Sequence, residues 1–230
     1  MDCDQSRQSR KIWRLQTLIL LCLVLCLQLP SKAEEPARIT FSFDFPGSEP
    51  EHYAISISTE GQGTYDSHIK TNQGSGDDSF HYDFTISPLT LTRIFDLAKR
   101  AHYFEGEVDS KKHGMASTGI KILKYTDARR STQATYNYSR IAAVQELTDL
   151  LQKLSTTLEF GRRLEYDHHY QKLALDDELK RMEEISKQNG LEELSAVAPI
   201  LQTIAADASV INPVRVRAQR LLAVGRKESP

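Results

Sequence analysis

Ile39-Thr40-Phe41-Ser42-Phe43-Asp44-Phe45 alternates an apolar with a polar side chain at every step, the two-residue period of a strand with one buried face. Ile39, Phe41, Phe43 and Phe45 are expected to point into a core, with Thr40, Ser42 and Asp44 turned away. Tyr53, Ile55 and Ile57 repeat the period. The turn-like Glu60-Gly61-Gln62-Gly63 then leads into a further strand from Thr64 to Ile69, so the pair reads as a hairpin. A Gly-, Asp- and Ser-rich loop from Thr71 to Ser79 precedes Phe80, Tyr82 and Phe84. Later in the chain Ile120, Ile122, Leu123 and Tyr125 suggest another strand, turned at Asp127-Ala128-Arg129-Arg130 into Thr132, Ala134, Tyr136 and Tyr138.

Helices interrupt these strands. Ser87-Pro88 is a start signal, because the serine hydroxyl caps open amides and proline fits the first helical position. Leu91, Ile94, Phe95, Ala98 and Ala101 follow at helical spacing. A second helix is expected from near Ser139, with Val144, Leu147, Leu151, Leu154 and Leu158 on one stripe. The fold class read from this order is α+β: an antiparallel sheet with helices packed on one face.

Beyond Gly161 only the helical period remains. Leu175, Leu179, Met182 and Ile185 form a stripe that stops at Asn189-Gly190. A helix from Leu191 carries Leu194, Val197, Leu201 and Ile204 and is expected to kink at Pro199. A third starts at Asn212-Pro213 and presents Val214, Ala218, Leu221 and Leu222. The expected organisation is residues 1–33 as a signal peptide, 34–160 as the α+β domain and 161–230 as a small helical segment.

The signal reading rests on Arg7, Arg10, Lys11 and Arg14, an apolar run from Leu15 to Leu29, and Ser31-Lys32-Ala33, which places small residues where a signal peptidase cuts. Export to the periplasm or the cell exterior, with cleavage after Ala33, is the expectation. An uncleaved anchor is the alternative, and only that case implies membrane contact. All three cysteines, Cys3, Cys22 and Cys26, fall within this leader, so the exported body carries no disulfide and no thiolate chemistry. Removing residues 1–33 leaves 24 basic against 29 acidic side chains. Such a mildly acidic product lacks the basic excess of a nucleic-acid reader. No metal or cofactor pattern stands out.

The segment from Ile39 to about Leu158 resembles a family of exported bacterial α+β domains of unknown function. The residues that carry the likeness are Gly61-Gln62-Gly63-Thr64-Tyr65, and the Ser87-Pro88 helix that ends in His102-Tyr103-Phe104. That family commonly places a cysteine pair before the hairpin, whereas this chain has Phe45-Pro46-Gly47-Ser48-Glu49-Pro50. The resemblance implies a fold and no activity. Residues Val197 to Ala223 are similar to a single HEAT-type helical pair, which implies a protein-binding scaffold. One such pair cannot bury a continuous core alone and must dock on the first domain or on a partner.

Three groups of residues are candidates for chemistry. The polar loop from Glu105 to Ser117 gathers Glu107, Asp109, Lys111, Lys112 and His113, and long loops on rigid scaffolds often carry recognition. His81 and Asp83 lie two apart on one strand face and could serve as base and orienting carboxylate. His168 and His169, beside Asp167 and Tyr170, diverge by about 100° on a helix and are expected on a solvated face rather than around a metal. Gly74-Ser75-Gly76-Asp77-Asp78 is turn chemistry without the closing carboxylate of a calcium loop. The sequence therefore leads to a non-enzymatic exported module that contacts another envelope protein through the loop or the tail. A hydrolytic or ligand-processing enzyme using His81, Asp83 or His113, and a membrane-anchored structural protein, are its alternatives.

Overall fold

The computed structural model describes residues 35–69, 78–112, 114 and 116–228. The leader, the Gly74-to-Asp77 turn and His113 lie outside the described residues. The elements in chain order are β1 (Arg38–Asp44), β2 (His52–Ser58), β3 (Gln62–Ile69), β4 (Asp78–Thr85), α1 (Pro88–Arg100), β5 (Ile120–Thr126), β6 (Ser131–Tyr136), α2 (Ala142–Tyr170), α3 (Leu175–Lys187), α4 (Ala198–Ala206) and α5 (Asn212–Glu228). The strands form one sheet in the order β4-β3-β2-β1-β5-β6, antiparallel at every pairing. The chain is an α+β protein with its helices on one face of this sheet and a helical C-terminal part.

The alternation that opens the strand region sets the two faces. Ile39, Phe41 and Phe43 of β1, Tyr53, Ile55 and Ile57 of β2, Tyr65 of β3 and Phe84 of β4 are all buried beneath the helices. The opposite face carries small polar and charged residues such as Thr40, Ser56, Thr64, Asp66 and His81. β1 ends at Asp44, one residue before Phe45, which is left exposed.

Register overrides local hydrophobicity on β5. Phe41 pairs with Leu123 and Phe43 with Lys121. Because partners across a ladder share a face, Lys121 is turned inward while Ile120 points out, 56% exposed. Three carbonyls accommodate the buried ammonium: Thr118, Gly119 and Asn137 accept from Nζ at 2.9, 3.3 and 3.1 Å. Desolvation still holds its pKa below the usual lysine value.

α1 begins as read, with the Ser87 hydroxyl facing the Thr90 amide. Its aromatic end is a left-handed turn: His102, Tyr103 and Phe104 have φ of 50°, 53° and 66°. That conformation costs roughly 1–2 kcal/mol for each L-residue. Burial of Phe104, the Tyr103 ring against Tyr125 at 4.6 Å and the Arg130 guanidinium 4.2 Å above Tyr103 offset it.

α2 starts at Ala142, with the Ser139 hydroxyl accepting from the Ile141 amide, and continues without a break through Gly161 to Tyr170. The boundary expected at 160/161 thus falls inside one 29-residue helix, and from Pro36 onward the chain is a single compact unit. Two faces of this helix are buried. Ser155 and Thr157 lie about 200° apart around the axis; Ser155 meets Tyr65 of the sheet at 3.1 Å, and the Thr157 hydroxyl donates to the Glu192 carbonyl at 2.8 Å. Gly161 continues the outer face, where an added Cβ would stand 2.6 Å from Val197 Cγ1.

The C-terminal helices then pack on α2 and on one another. α3 ends with Asn189, not Gly190, in the left-handed conformation, at φ 55°. Pro199 does not kink a helix from Leu191. A short 3₁₀ turn, Leu194–Val197, comes first, and Pro199 lies in the opening turn of α4, where its missing N–H costs nothing.

Candidate functional site

The described residues of the loop are engaged with one another and with the end of the sheet. Glu107 and Lys111 pair with each other at 2.7 Å on the surface, and Val108 between them is buried. Asp109 bridges to Ser139, just past β6, and the Ser110 amide donates to the Tyr138 carbonyl at 2.8 Å. Lys112 is exposed. His81 and Asp83 stand on β4, at the other edge of the sheet. Five strand spacings of roughly 4.8 Å keep the two groups on the order of 20 Å apart.

His81 is held by carboxylates on both sides. Its Nδ1 lies 2.6 Å from Asp66 and its Nε2 3.4 Å from Asp83, on the open sheet face. A ring with both nitrogens so occupied is stabilised as imidazolium and is poorly placed to take a proton from a substrate. The Asp66 hydrogen bond, then its charge, raise the His81 pKa above the ordinary value. A raised value favours the protonated form in the fold, so the contribution to stability is complete below about pH 6.5 and is lost as pH rises through the folded midpoint. In an NMR titration Asp66→Asn is expected to lower the His81 midpoint; an unchanged midpoint would show that the contact does not persist in solution.

His169 is exposed, while His168 is half-buried. The His168 Nε2 lies 2.9 Å from Asp207, which also accepts from Lys172 at 2.8 Å and from the Ser209 amide at 2.8 Å. These donors, Lys172 first, hold the Asp207 carboxyl well below the usual range. The cluster ties the end of α2 to the α4–α5 connection.

The arrangement that does converge is centred on Glu159 of α2, 3% exposed. Its Oε1 accepts from the Tyr65 hydroxyl at 2.9 Å and the Ser67 hydroxyl at 2.8 Å, both from β3. Its Oε2 accepts from Arg162 Nε at 2.8 Å. A buried carboxylate needs such a cation and such donors to offset its desolvation. Beside it opens a cavity of about 470 Å³, within the range of small-molecule sites.

Three parts of the fold wall this cavity. The β1–β2 connection contributes Ser48 and Pro50, the latter after a cis peptide from Glu49. The Ser48 hydroxyl folds that loop back onto the Phe45 and Pro50 carbonyls, at 2.7 and 2.8 Å. Strands supply the Phe43 and Tyr53 rings, and α2 supplies Gln152, Ser155, Thr156, Phe160 and Arg163. Arg181 and Ile185 of α3 close the third side.

No protein-family model and no curated protein matches the chain.

The electrostatics of the cavity come from a shared carboxylate. Glu178 of α3, buried, accepts from Arg163 Nε and lies 3.3 Å from a terminal nitrogen of Arg181. The Arg163 guanidinium lies over the Phe160 ring, 4.6 Å from its centre. Burial pushes the phenols of Tyr53 and Tyr65 well above the usual tyrosine range. They are hydrogen-bond donors at neutral pH and not bases.

A second cavity of about 350 Å³ lies at the start of α1. The Ser87 hydroxyl donates to Glu193 Oε2 at 2.8 Å, and Glu193 holds a left-handed φ of 56°. Neighbouring Glu192 has its pKa raised by burial, with Arg93 opposing. Glu193 thus joins the C-terminal part to the cap of α1. The sequence reading named neither this contact nor the Glu159 centre.

Proposed function

We propose that this chain is an exported, non-catalytic binding module whose ligand site is the cavity beside Glu159. The observation that carries the reading is the way the polar groups of that cavity are held. Glu159 is fixed by two hydroxyls and a guanidinium, Arg163 by Glu178 and the Phe160 face, and the phenols are kept protonated. Groups so fixed present a rigid pattern of donors and acceptors, which lowers the ordering cost of binding. Acid–base catalysis needs instead a group that exchanges its proton near the working pH. The export signal expected in residues 1–33, and the likeness of residues 39–158 to exported domains, support a role outside the cytosol.

A partner protein docked through the helical tail is less favoured. Leu175, Leu179 and Met182 of α3, Leu201 and Ile204 of α4, and Val214, Ala218 and Leu221 of α5 are buried within the molecule. This burial supports a ligand cavity over docking through the tail's apolar stripes.

The test is an NMR screen of the isotope-labelled protein with millimolar monosaccharides, sugar acids, amino acids and dicarboxylates. Ligand-induced shifts are expected at the amides of Thr156, Arg163 and Ile185. Thr156→Trp, at a half-buried position on the cavity wall, is expected to abolish them by filling the space. Shifts that cluster elsewhere, or that survive Thr156→Trp, would move the site away from this cavity.

A further inference from the structure

Charge around the cavity is unevenly matched. Arg163 and Arg181 share one carboxylate, Glu178. Among the described residues it is the only acidic group at ion-pair distance from either guanidinium. Two guanidiniums offer about ten N–H donors, and Glu178 takes one from each. Most of their N–H donors are left over, at a rim where Arg163 is already oriented by the Phe160 ring. A second carboxylate placed across the pair gains charge-assisted, bidentate hydrogen bonds, the strong kind.

The remaining walls specify the body of the ligand. The Ser48 and Thr156 hydroxyl protons are taken by carbonyls and Ser155 meets Tyr65, so the wall offers their remaining lone pairs and the Gln152 amide to a hydroxylated body. Glu159 Oε2, with Arg162 as its one described donor, has a lone-pair site left for a ligand hydroxyl. Phe43, Tyr53 and Phe160 supply flat apolar faces. Glu49 and Glu159 are also among the lining residues, and their negative charge disfavours a second one on the ligand, which selects a monoanion over a phosphate dianion.

We infer that the cavity takes a small hydroxylated monocarboxylate, of which a uronic acid is the simplest example, with its carboxylate on the Arg163–Arg181 pair and its hydroxyls on the α2 wall. This rests on the cavity reading above and adds the chemical class of the ligand.

Calorimetric titration at constant ionic strength with sodium glucuronate, glucose, glucose 6-phosphate and sodium acetate tests it. Glucuronate is expected to bind at least about tenfold more tightly than any of the other three, since one charge-assisted pair is at stake. Arg181→Gln, at a side chain 63% exposed and so harmless to the fold, is expected to bring glucuronate down to the level of glucose. Arg181→Lys should restore part of the preference. Glucuronate binding no better than glucose, or untouched by Arg181→Gln, overturns the inference, as does failure of glucuronate to bind. Acetate binding as tightly as glucuronate removes the hydroxylated body from it. Equal binding of glucose and glucuronate that Thr156→Trp abolishes sinks the acid preference and keeps the cavity. A glucuronate preference that survives Thr156→Trp sinks the cavity itself.

Discussion

Glu159→Ala is expected to cost about 3–5 kcal/mol of folding stability, the range for breaking a buried ion pair by removing one partner. The Tyr65 and Ser67 hydroxyls lose a shared acceptor, and Arg162 loses its carboxylate, all beneath the helix layer. Each orphaned buried group accounts for roughly 1–3 kcal/mol of that. Glu159→Gln separates the parts. Both hydroxyls use Oε1 and the guanidinium uses Oε2, so a glutamine can keep its oxygen on Tyr65 and Ser67 while its amide meets Arg162 donor to donor. Its expected cost is about half that of alanine. Urea unfolding of the three proteins measures the series; a loss below about 1 kcal/mol for Glu159→Ala would mean that water already reaches the carboxylate. Whole domains are stable by only about 5–15 kcal/mol, so the alanine variant should unfold at a markedly lower midpoint.

How the sequence relates to this centre is instructive. The sheet is legible because its alternation is local: Ile39 to Phe43 and Tyr53 to Ile57 each declare their face within one strand. The helices are legible because Ser87-Pro88 and Asn212-Pro213 carry their start signals beside them. Register is not local. Lys121 points inward only because Phe43 is its cross-strand partner, and nothing in Ile120-Lys121-Ile122 reveals that.

The Glu159 centre is less legible for the same reason. Glu159 lies one helical turn after Ser155 and between Leu158 and Phe160, so a carboxylate on a buried stripe was visible. Its partners Tyr65 and Ser67 are 94 and 92 residues away in sequence. Arg181 belongs to the segment that composition set apart as a tail. The charges of the loop from Glu107 to His113 are adjacent in sequence, and adjacency lets Glu107 and Lys111 satisfy each other.

Ending the chain at Gly161, where the strand pattern gives way to pure helix, is expected to abolish cooperative folding rather than release a sheet domain. Thr157 and Gly161 mark the face of α2 that looks toward the C-terminal segment, through the Glu192 carbonyl and the Val197 side chain. Truncation removes the segment that supplies Leu175, Leu179, Leu194, Val197 and Leu201 to the core, each at most 2% exposed. It also deletes Arg162, leaving Glu159 buried without its cation, at about 3–5 kcal/mol. Tyr82 loses the Ala196 carbonyl that accepts from its hydroxyl at 3.0 Å, and Ser87 loses Glu193. The ion pair alone, at about 3–5 kcal/mol, is a large share of the stability of an ordinary domain, and the lost core residues add to it. Residues 35–228 should therefore unfold in a single transition by calorimetry, while residues 35–161 should show no transition and poorly dispersed amide resonances. A sharp transition in the shorter chain would mean that the sheet and the first 20 residues of α2 suffice as a core. The C-terminal helices would then be an accessory layer, and the Arg163–Arg181 pair would be set by packing that the sheet does not require.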